Sequence, residues 1–338
     1  NPISVYPFPN FKAEQTKSYE LGTNLRLFNN KINIDATVYL TDTYNQTFLS
    51  SMSPASGYSG FYVQAGKVRN KGIELSLGYN DRFGKVGYAT NLTYTANRNK
   101  IMKMVHDYKN PSDGSLFSIT ELTLQDKGGV YLREKDAIGD VYVKGILARG
   151  KDGKLIEEEG GYKVDRSQRI KIGSVNPDFS IGWRHNVTWN NITLDLLFNG
   201  RFGGIVTSST QAFLDDYGVS KDTYKARQNG GVWVNGTQYD AEKYYTTIGG
   251  EQLMAYYAYK ATNIRLQEAS LSYTLPGKWF GNVINRLTVS AIGRNLWMIY
   301  NKAPFDPEMT SSTGTYNRGD VFMPPSLRSV GFSVKIEL

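Results

Sequence analysis

Nine stretches of this chain place apolar side chains on every second position, and the connections between them alternate short and long without a break. A two-residue period belongs to β-strands, so each stretch reads as a strand with one apolar and one polar face. Tyr19, Leu21, Leu25 and Leu27 form the first; Ile32, Ile34, Ala36, Val38 and Leu40 return after F-N-N-K. Ile73, Leu75, Leu77 and Tyr79 turn at D-R-F-G-K into Tyr88, Leu92, Tyr94 and Ala96. Phe179, Ile181, Trp183, Val187 and Trp189 turn at W-N-N into Ile192, Leu194, Leu196 and Phe198. The seventh strand, about 263–275, changes phase between Leu266 and Leu271, which calls for a bulge near 267–270. The eighth covers about 286–298, and the ninth, 329–338, carries Val330, Phe332, Val334, Ile336 and Leu338.

Connections near Asn29, Arg82 and Asn190 and at about 276–285 are short, whereas those at about 47–66, 100–176, 204–261 and 300–326 are long. Successive connections of an antiparallel meander fall at opposite ends, so all the long ones share an end. Short periplasmic turns opposite long extracellular loops characterise an outer-membrane barrel. A strand of about ten residues at about 3.3 Å each, tilted by about 40°, rises roughly 25 Å, which matches the apolar band of such barrels. The expected fold is therefore all-β, a transmembrane barrel in the bacterial outer membrane. Membrane barrels have an even number of strands, so nine points to the C-terminal portion of a larger barrel whose other strands lie elsewhere. A soluble all-β carbohydrate-binding or adhesin domain is the alternative, although loops of this length gathered at one end fit a sandwich poorly.

Composition narrows the choice. At 338 residues with 40% hydrophobic content and a mean hydropathy of -0.43, the chain has no apolar run long enough for a membrane helix, yet barrel strands raise no hydropathy peak. Thirty-four Gly and twenty-four Tyr favour strands and turns. The absence of cysteine excludes disulfides and thiolate metal sites. A net charge of +8 is spread among acidic residues without a basic run, which argues against nucleic acid as a partner. The N-terminal N-P-I-S-V-Y-P-F-P-N has neither Met nor signal-peptide character, so it follows a removed leader or belongs to something longer.

No catalytic arrangement is legible, and no enzyme activity, cofactor or metal is expected. His106 and His185 lie far apart without a ligand pattern, E-E-E at 157–159 reads as a solvated hairpin tip, and G-R-F-G-G at 200–204 lacks the strand-to-helix context of a phosphate loop. The N-x-T triplets at Asn45, Asn91, Asn186, Asn191 and Asn235 read as polar strand and turn chemistry rather than glycosylation sites. Trp189, Trp279 and Phe280 at short-turn ends, with Trp297 and Tyr300 at a long-loop end, fit two membrane girdles. Contact with substrate or a protein partner is expected from the 204–261 loop, whose rings include Tyr217, Tyr224, Trp233, Tyr239, Tyr244, Tyr245, Tyr256 and Tyr257. Within 100–176, D-V-Y-V-K-G-I-L-A-R-G-K-D-G-K-L-I reads as a hairpin turning at 151–154.

Several stretches resemble one family. F-K-A-E-Q-T-K-S-Y-E-L-G (11–22) is similar to the segment that opens the C-terminal barrel half of TonB-dependent receptors, and V-R-N-K-G-I-E-L (68–75) to one of their strand starts. G-S-V-N-P-D-F (173–179), G-R-N-L-W (293–297), F-D-P-E (305–308) and M-P-P-S-L-R-S-V-G-F (323–332) narrow the resemblance to the SusC/RagA transporters of Bacteroidetes. The resemblance implies a barrel of about 22 strands around a plug, a TonB complex that energises import, and a SusD-like surface lipoprotein as lid. It implies oligosaccharide as cargo, with peptide possible, and outer-membrane lipid around the wall. One departure is Leu338, where such barrels often end on an aromatic residue.

Overall fold

The computed structural model describes residues 5–6, 11–51, 55, 57–109, 114, 116–124, 130–281, 283–311 and 319–338. Parts of the expected loops 47–66, 100–176 and 300–326, and most of the N-terminal decapeptide, lie outside the described residues. Nine long antiparallel strands follow one another in chain order, and short segments at 5–6, 121–124 and 130–133 join the same sheet: β1 (Gln15–Leu27), β2 (Ile32–Ser51), β3 (Gly60–Phe83), β4 (Val86–Lys103), β5 (Phe179–Trp189), β6 (Ile192–Phe202), β7 (Asn263–Pro276), β8 (Arg286–Asn301) and β9 (Ser329–Glu337). These are the nine strands expected from the alternation.

Register explains why alternation survives across the sheet. Opposed residues share a face, and one row runs Leu25, Ile34, Leu77, Leu92, Trp183, Phe198, Leu266 and Trp297 through eight strands. The neighbouring row on the other face reads Arg26, Asn33, Gly78, Asn91, Arg184, Leu197, Glu268, Arg294 and Ser329, polar or glycine at every strand but one. The apolar face is exposed: Leu21, Trp183, Leu271, Phe332 and Val334 all present their side chains outward.

The expected bulge falls at Gln267. Leu197 opposes Glu268 and Phe198 opposes Leu266, so Gln267 is the extra residue that keeps Leu266 and Leu271 on the same face. Strand β8 compensates in the G-R-N-L-W stretch. Asn295 there takes a positive φ of 50°, accepts from Gln267 Nε2 at 3.0 Å, and donates to the Leu327 carbonyl at the entrance to β9.

Short turns close one end through left-handed residues: Phe28, Asn29 and Asn30 between β1 and β2, Gly84 between β3 and β4, and Asn190 between β5 and β6. At the opposite end the strands outrun the expected loops. The β2–β3 ladder continues through Phe48↔Val63 to Ser51↔Gly60, so the flanks of 47–66 are strand. Apolar character on that face stops above Leu40. Asp42 then receives a bidentate pair from Arg69 (2.7 and 2.8 Å) and a bond from Lys67 (2.7 Å). Ile32 to Leu40, roughly nine residues, rises about 23 Å at a 40° tilt, so the ionic cluster marks the edge of an apolar band of membrane thickness.

Beyond that edge the protruding strands acquire a core of their own. Phe48, Val63, Val68, Ile101 and Met104 pack with Leu122, Leu124, Leu132 and Ile138 from the β4–β5 connection. Strand β1 is exposed along its length, β9 nearly so, and the two do not pair, so the sheet is an open arc among the described residues.

Gly72, within V-R-N-K-G-I-E-L, shows why that position lacks a side chain. A Cβ there would stand 2.5 Å from both the Tyr39 ring and the Ala96 carbonyl oxygen, because Tyr39 lies across the strand. Gly72→Ala is expected to destabilise the sheet by about 1–3 kcal/mol through overpacking, read as a change in unfolding free energy, with Tyr39→Ala in the same chain recovering only part of the penalty because the Ala96 carbonyl stays in place.

Candidate functional site

The expected 204–261 loop contains three helices that strand periodicity did not announce: α1 (Ser209–Asp216), α2 (Lys221–Gln228) and α3 (Ala241–Gly250). Each starts at a side-chain cap. Ser208 accepts from the Gln211 amide, Ser220 from the Thr223 amide and Asp240 from the Lys243 amide. Each helix is only eight to ten residues long, too short to stand by itself in water.

Stability comes from packing: α1 and α2 dock on α3, and α3 docks on the β4–β5 connection. Asp140–Leu147 pairs with Val164–Ser174, a partner further along than the expected hairpin. The expected turn does form, closed by Gly150 N to Lys154 O and the Arg149–Leu155 bridge, with Gly153 at a φ of 80°. Glu157–Glu158 pairs with Gly161–Tyr162 as a small hairpin, as expected for the E-E-E stretch.

Five of the tyrosines join the two connections. Tyr239 (8% exposed), Tyr244 (9%) and Tyr257 (1%) are buried with Leu147, Leu155, Tyr162, Ile248 and Leu253. Tyr239 accepts from the Leu155 amide and Tyr256 from the Leu147 amide, each at 3.0 Å, so the hydroxyls satisfy backbone donors of the opposite connection. Tyr244 meets Tyr245 and Tyr256 edge-on, and burial, reinforced by those two rings, pushes its hydroxyl up to about 12. Tyr239 and Tyr244 are thus committed to internal packing.

The remaining candidates point outward. Tyr217 (75% exposed), Tyr224 and Trp233 (63%) are open to solvent. Tyr217 and half-buried Tyr245 both line a pocket of about 260 Å³ among the helices, with Asp215, Thr223 and Arg227. Asp215 is itself buried, accepts from Gln211 Nε2 at 2.9 Å, and is pushed up in pKa by that burial.

The ring positions at the sheet ends are as follows. Trp189 sits at the β5–β6 turn opposite Val86 and Ile192, and Trp279 and Phe280 occupy a single 3₁₀ turn between β7 and β8. Trp297 and Tyr300 oppose Leu266 and Ile264 at the other end. All but half-buried Phe280 are exposed. His185 lies on the apolar face against Tyr88, whose hydroxyl is 2.9 Å from Nδ1, and tilted on Trp183. Neither histidine belongs to a metal-binding group; none exists among the described residues.

The polar face carries a cleft of about 490 Å³ at the long-loop end, lined by Thr93, Thr95, Ser180, Asn199, Arg201 and Glu308. Above it, F-D-P-E and M-P-P-S-L-R meet on one buried cation. Arg265 bonds Asp306 at 2.9 Å, both side chains being under a tenth exposed, and Glu308 lies 3.4 Å away. Asp306 also accepts from Ser326. These bonds clamp the β8–β9 connection onto the end of β7. Removing the Asp306 carboxylate leaves the buried guanidinium with only the more exposed Glu308, at 3.4 Å, as counter-ion. Asp306→Ala is expected to cost roughly 3–5 kcal/mol and to speed hydrogen exchange in 302–311 selectively, leaving β1–β4 protected.

Comparison with known proteins accords with this architecture. The family model described as TonB dependent receptor-like, beta-barrel matches residues 1–196. TonB-dependent receptor P3 of Formosa agariphila is 24% identical over 321 residues, 88% of this chain and 31% of the relative. TonB-dependent receptor P39 of the same organism is 21% identical over 92% of this chain and 34% of its own length. The chain thus spans about a third of the length of the curated relatives it matches. Among solved structures, the RagAB peptide transporter superposes with a TM-score of 0.70 at 18% identity, over 96% of this chain and 35% of the other. The RagAB peptide importer in its open-open state gives 0.68 at 20%, over 99% and 36%. With nine meandering strands, one continuous apolar face and a family match over more than half its length, this chain belongs to the TonB-dependent receptor β-barrel family.

Proposed function

We propose that this chain is an arc of the wall and outer loops of a TonB-dependent, SusC/RagA-type importer in the outer membrane. The observation that carries the reading is the register-matched apolar face, about one membrane thick, bounded by the Asp42–Arg69–Lys67 cluster. Lipid is the medium that such a face requires. Water would leave it uncovered, which counts against a soluble carbohydrate-binding or adhesin domain. Among the described residues the outer edges of β1 and β9 have no partner, and this calls for further strands, since open edges in hydrocarbon cost several kcal/mol for each unsatisfied group.

Further strands would close the barrel around a plug, and the long-loop end would face outward beneath a SusD-like lipoprotein. The RagAB structures, described as a peptide transporter, lend support through fold alone. Cargo, oligosaccharide or peptide, would meet Tyr217, Tyr224 and Trp233 and the wet face of the wall before TonB withdraws the plug. No bond in the cargo need be made or broken.

Two measurements test the reading. Arg at Leu194 or Val334 is expected to cost about 2–4 kcal/mol in the reconstituted protein, while Arg at Ser333, on the other face, stays near zero; neutral results at the first two sites would refute lipid contact. Deleting the gene is expected to abolish growth on the imported oligosaccharide or peptide, and disabling TonB to do the same. Uptake that persists without TonB would overturn the energised mechanism.

A further inference from the structure

The pairing of Asp140–Leu147 with Val164–Ser174 sets Lys144 directly opposite Arg169. Like charges at opposed positions destabilise a β-ladder, so a compensating anion is expected close by. Neighbouring cations have theirs. Lys171, two residues along the same face, is held by Asp140 at 2.5 Å, and Arg133 by Asp136 at 2.7 Å. Neither Lys144 nor Arg169 has an ion-pair partner among the described residues.

Both line an open cleft of about 420 Å³ together with Glu121, Tyr131, Arg133 and Tyr142. Its rings are already in use. The Arg169 guanidinium lies 4.1 Å from the Tyr131 centroid, that of Arg133 5.6 Å from Tyr142, and the two rings meet edge-on at 5.0 Å. Tyr131 also donates to Glu121, the one carboxylate in the lining, and Tyr142 to Asp136. Those hydroxyl bonds and the stacking fix Arg169 in place with its charge turned to the cleft. Each ring already carries a guanidinium, so charge is what the cleft chiefly offers.

We infer that this cleft is an anion site, in which a carboxylate of an extracellular solute is received between Lys144 and Arg169. A planar carboxylate offers one oxygen to the ammonium and one to the guanidinium, which relieves the cross-strand repulsion. As a cargo contact the site deepens the import reading and rests on it. Binding is an equilibrium property, however, so loss of binding with uptake intact, or the reverse, tells which of the two has failed.

The test is calorimetric titration of the full-length receptor in detergent with tri-L-glutamate and with trigalacturonate. Tri-L-glutamine and methyl-esterified trigalacturonate serve as neutral counterparts. At least one acidic probe is expected to bind, more weakly as salt rises, with its neutral counterpart silent. Combining Lys144→Gln with Arg169→Gln is expected to weaken that probe by about tenfold or more, while the charge-preserving pair Lys144→Arg and Arg169→Lys retains most of the affinity and shows that the hairpin still forms. Response to glutamate alone would identify an acidic peptide as the source of the carboxylate, and response to trigalacturonate alone a uronate glycan. Binding of neither acidic probe, or undiminished binding by the double Gln variant, would overturn the site.

Discussion

The structure depends on the strict two-residue period of the extended chain, held in register by backbone hydrogen bonds across nine strands. One slip would carry a strand's whole apolar set to the wet face. Hence β7 and β8 compensate within a few residues, Gln267 against Asn295, and the phase is recovered before β9 begins. Family resemblance in G-R-N-L-W acquires a physical content here. Asn295 tolerates the left-handed backbone, its side chain bonds both neighbours, and Trp297 returns to the apolar row.

Ionic clusters do for the loops what alternation does for the wall. Asp42 with Arg69 and Lys67 ends the apolar face, while Arg265 with Asp306 ends the polar one and holds the last long connection down. Both clusters occur where strands leave the band, at the depth where a charge ceases to be prohibitively expensive. Between them the sheet carries few buried side chains, and cohesion there comes from the ladder itself.

The wall was legible in the sequence because its signal is local: Leu194, Leu196 and Phe198 declare their face without reference to any other segment. The loops were not, because their structure arises from contacts distant in sequence. Nothing near Leu155 indicates that its amide will bond Tyr239, and nothing around Lys144 names Arg169 as its opposite. Short capped helices were missed for a related reason: each is eight to ten residues long and buries only a few side chains against its neighbours, so none carries a long apolar stripe. The overshoot of β2 and β3 also escaped notice, since Phe48 and Val63 look like ordinary loop residues until Leu122 and Leu124 cover them. Of the aromatic candidates, sequence separated none of the core rings from the exposed ones, because a tyrosine suits both places.

The shared core of residues 140–174 and 204–257 has a consequence for how such receptors diversify. Tyr239 and Tyr256 cap amides of one connection while belonging to the other, and Thr247 on α3 receives the Tyr162 amide in the same manner. Neither connection can be exchanged for that of a relative without leaving buried donors unanswered in its neighbour. Natural recombination and engineered grafting alike would therefore have to transfer the two as a pair, together with β5 and β6 between them, and the unit of inheritance at this end of the molecule is the couple and not the single loop.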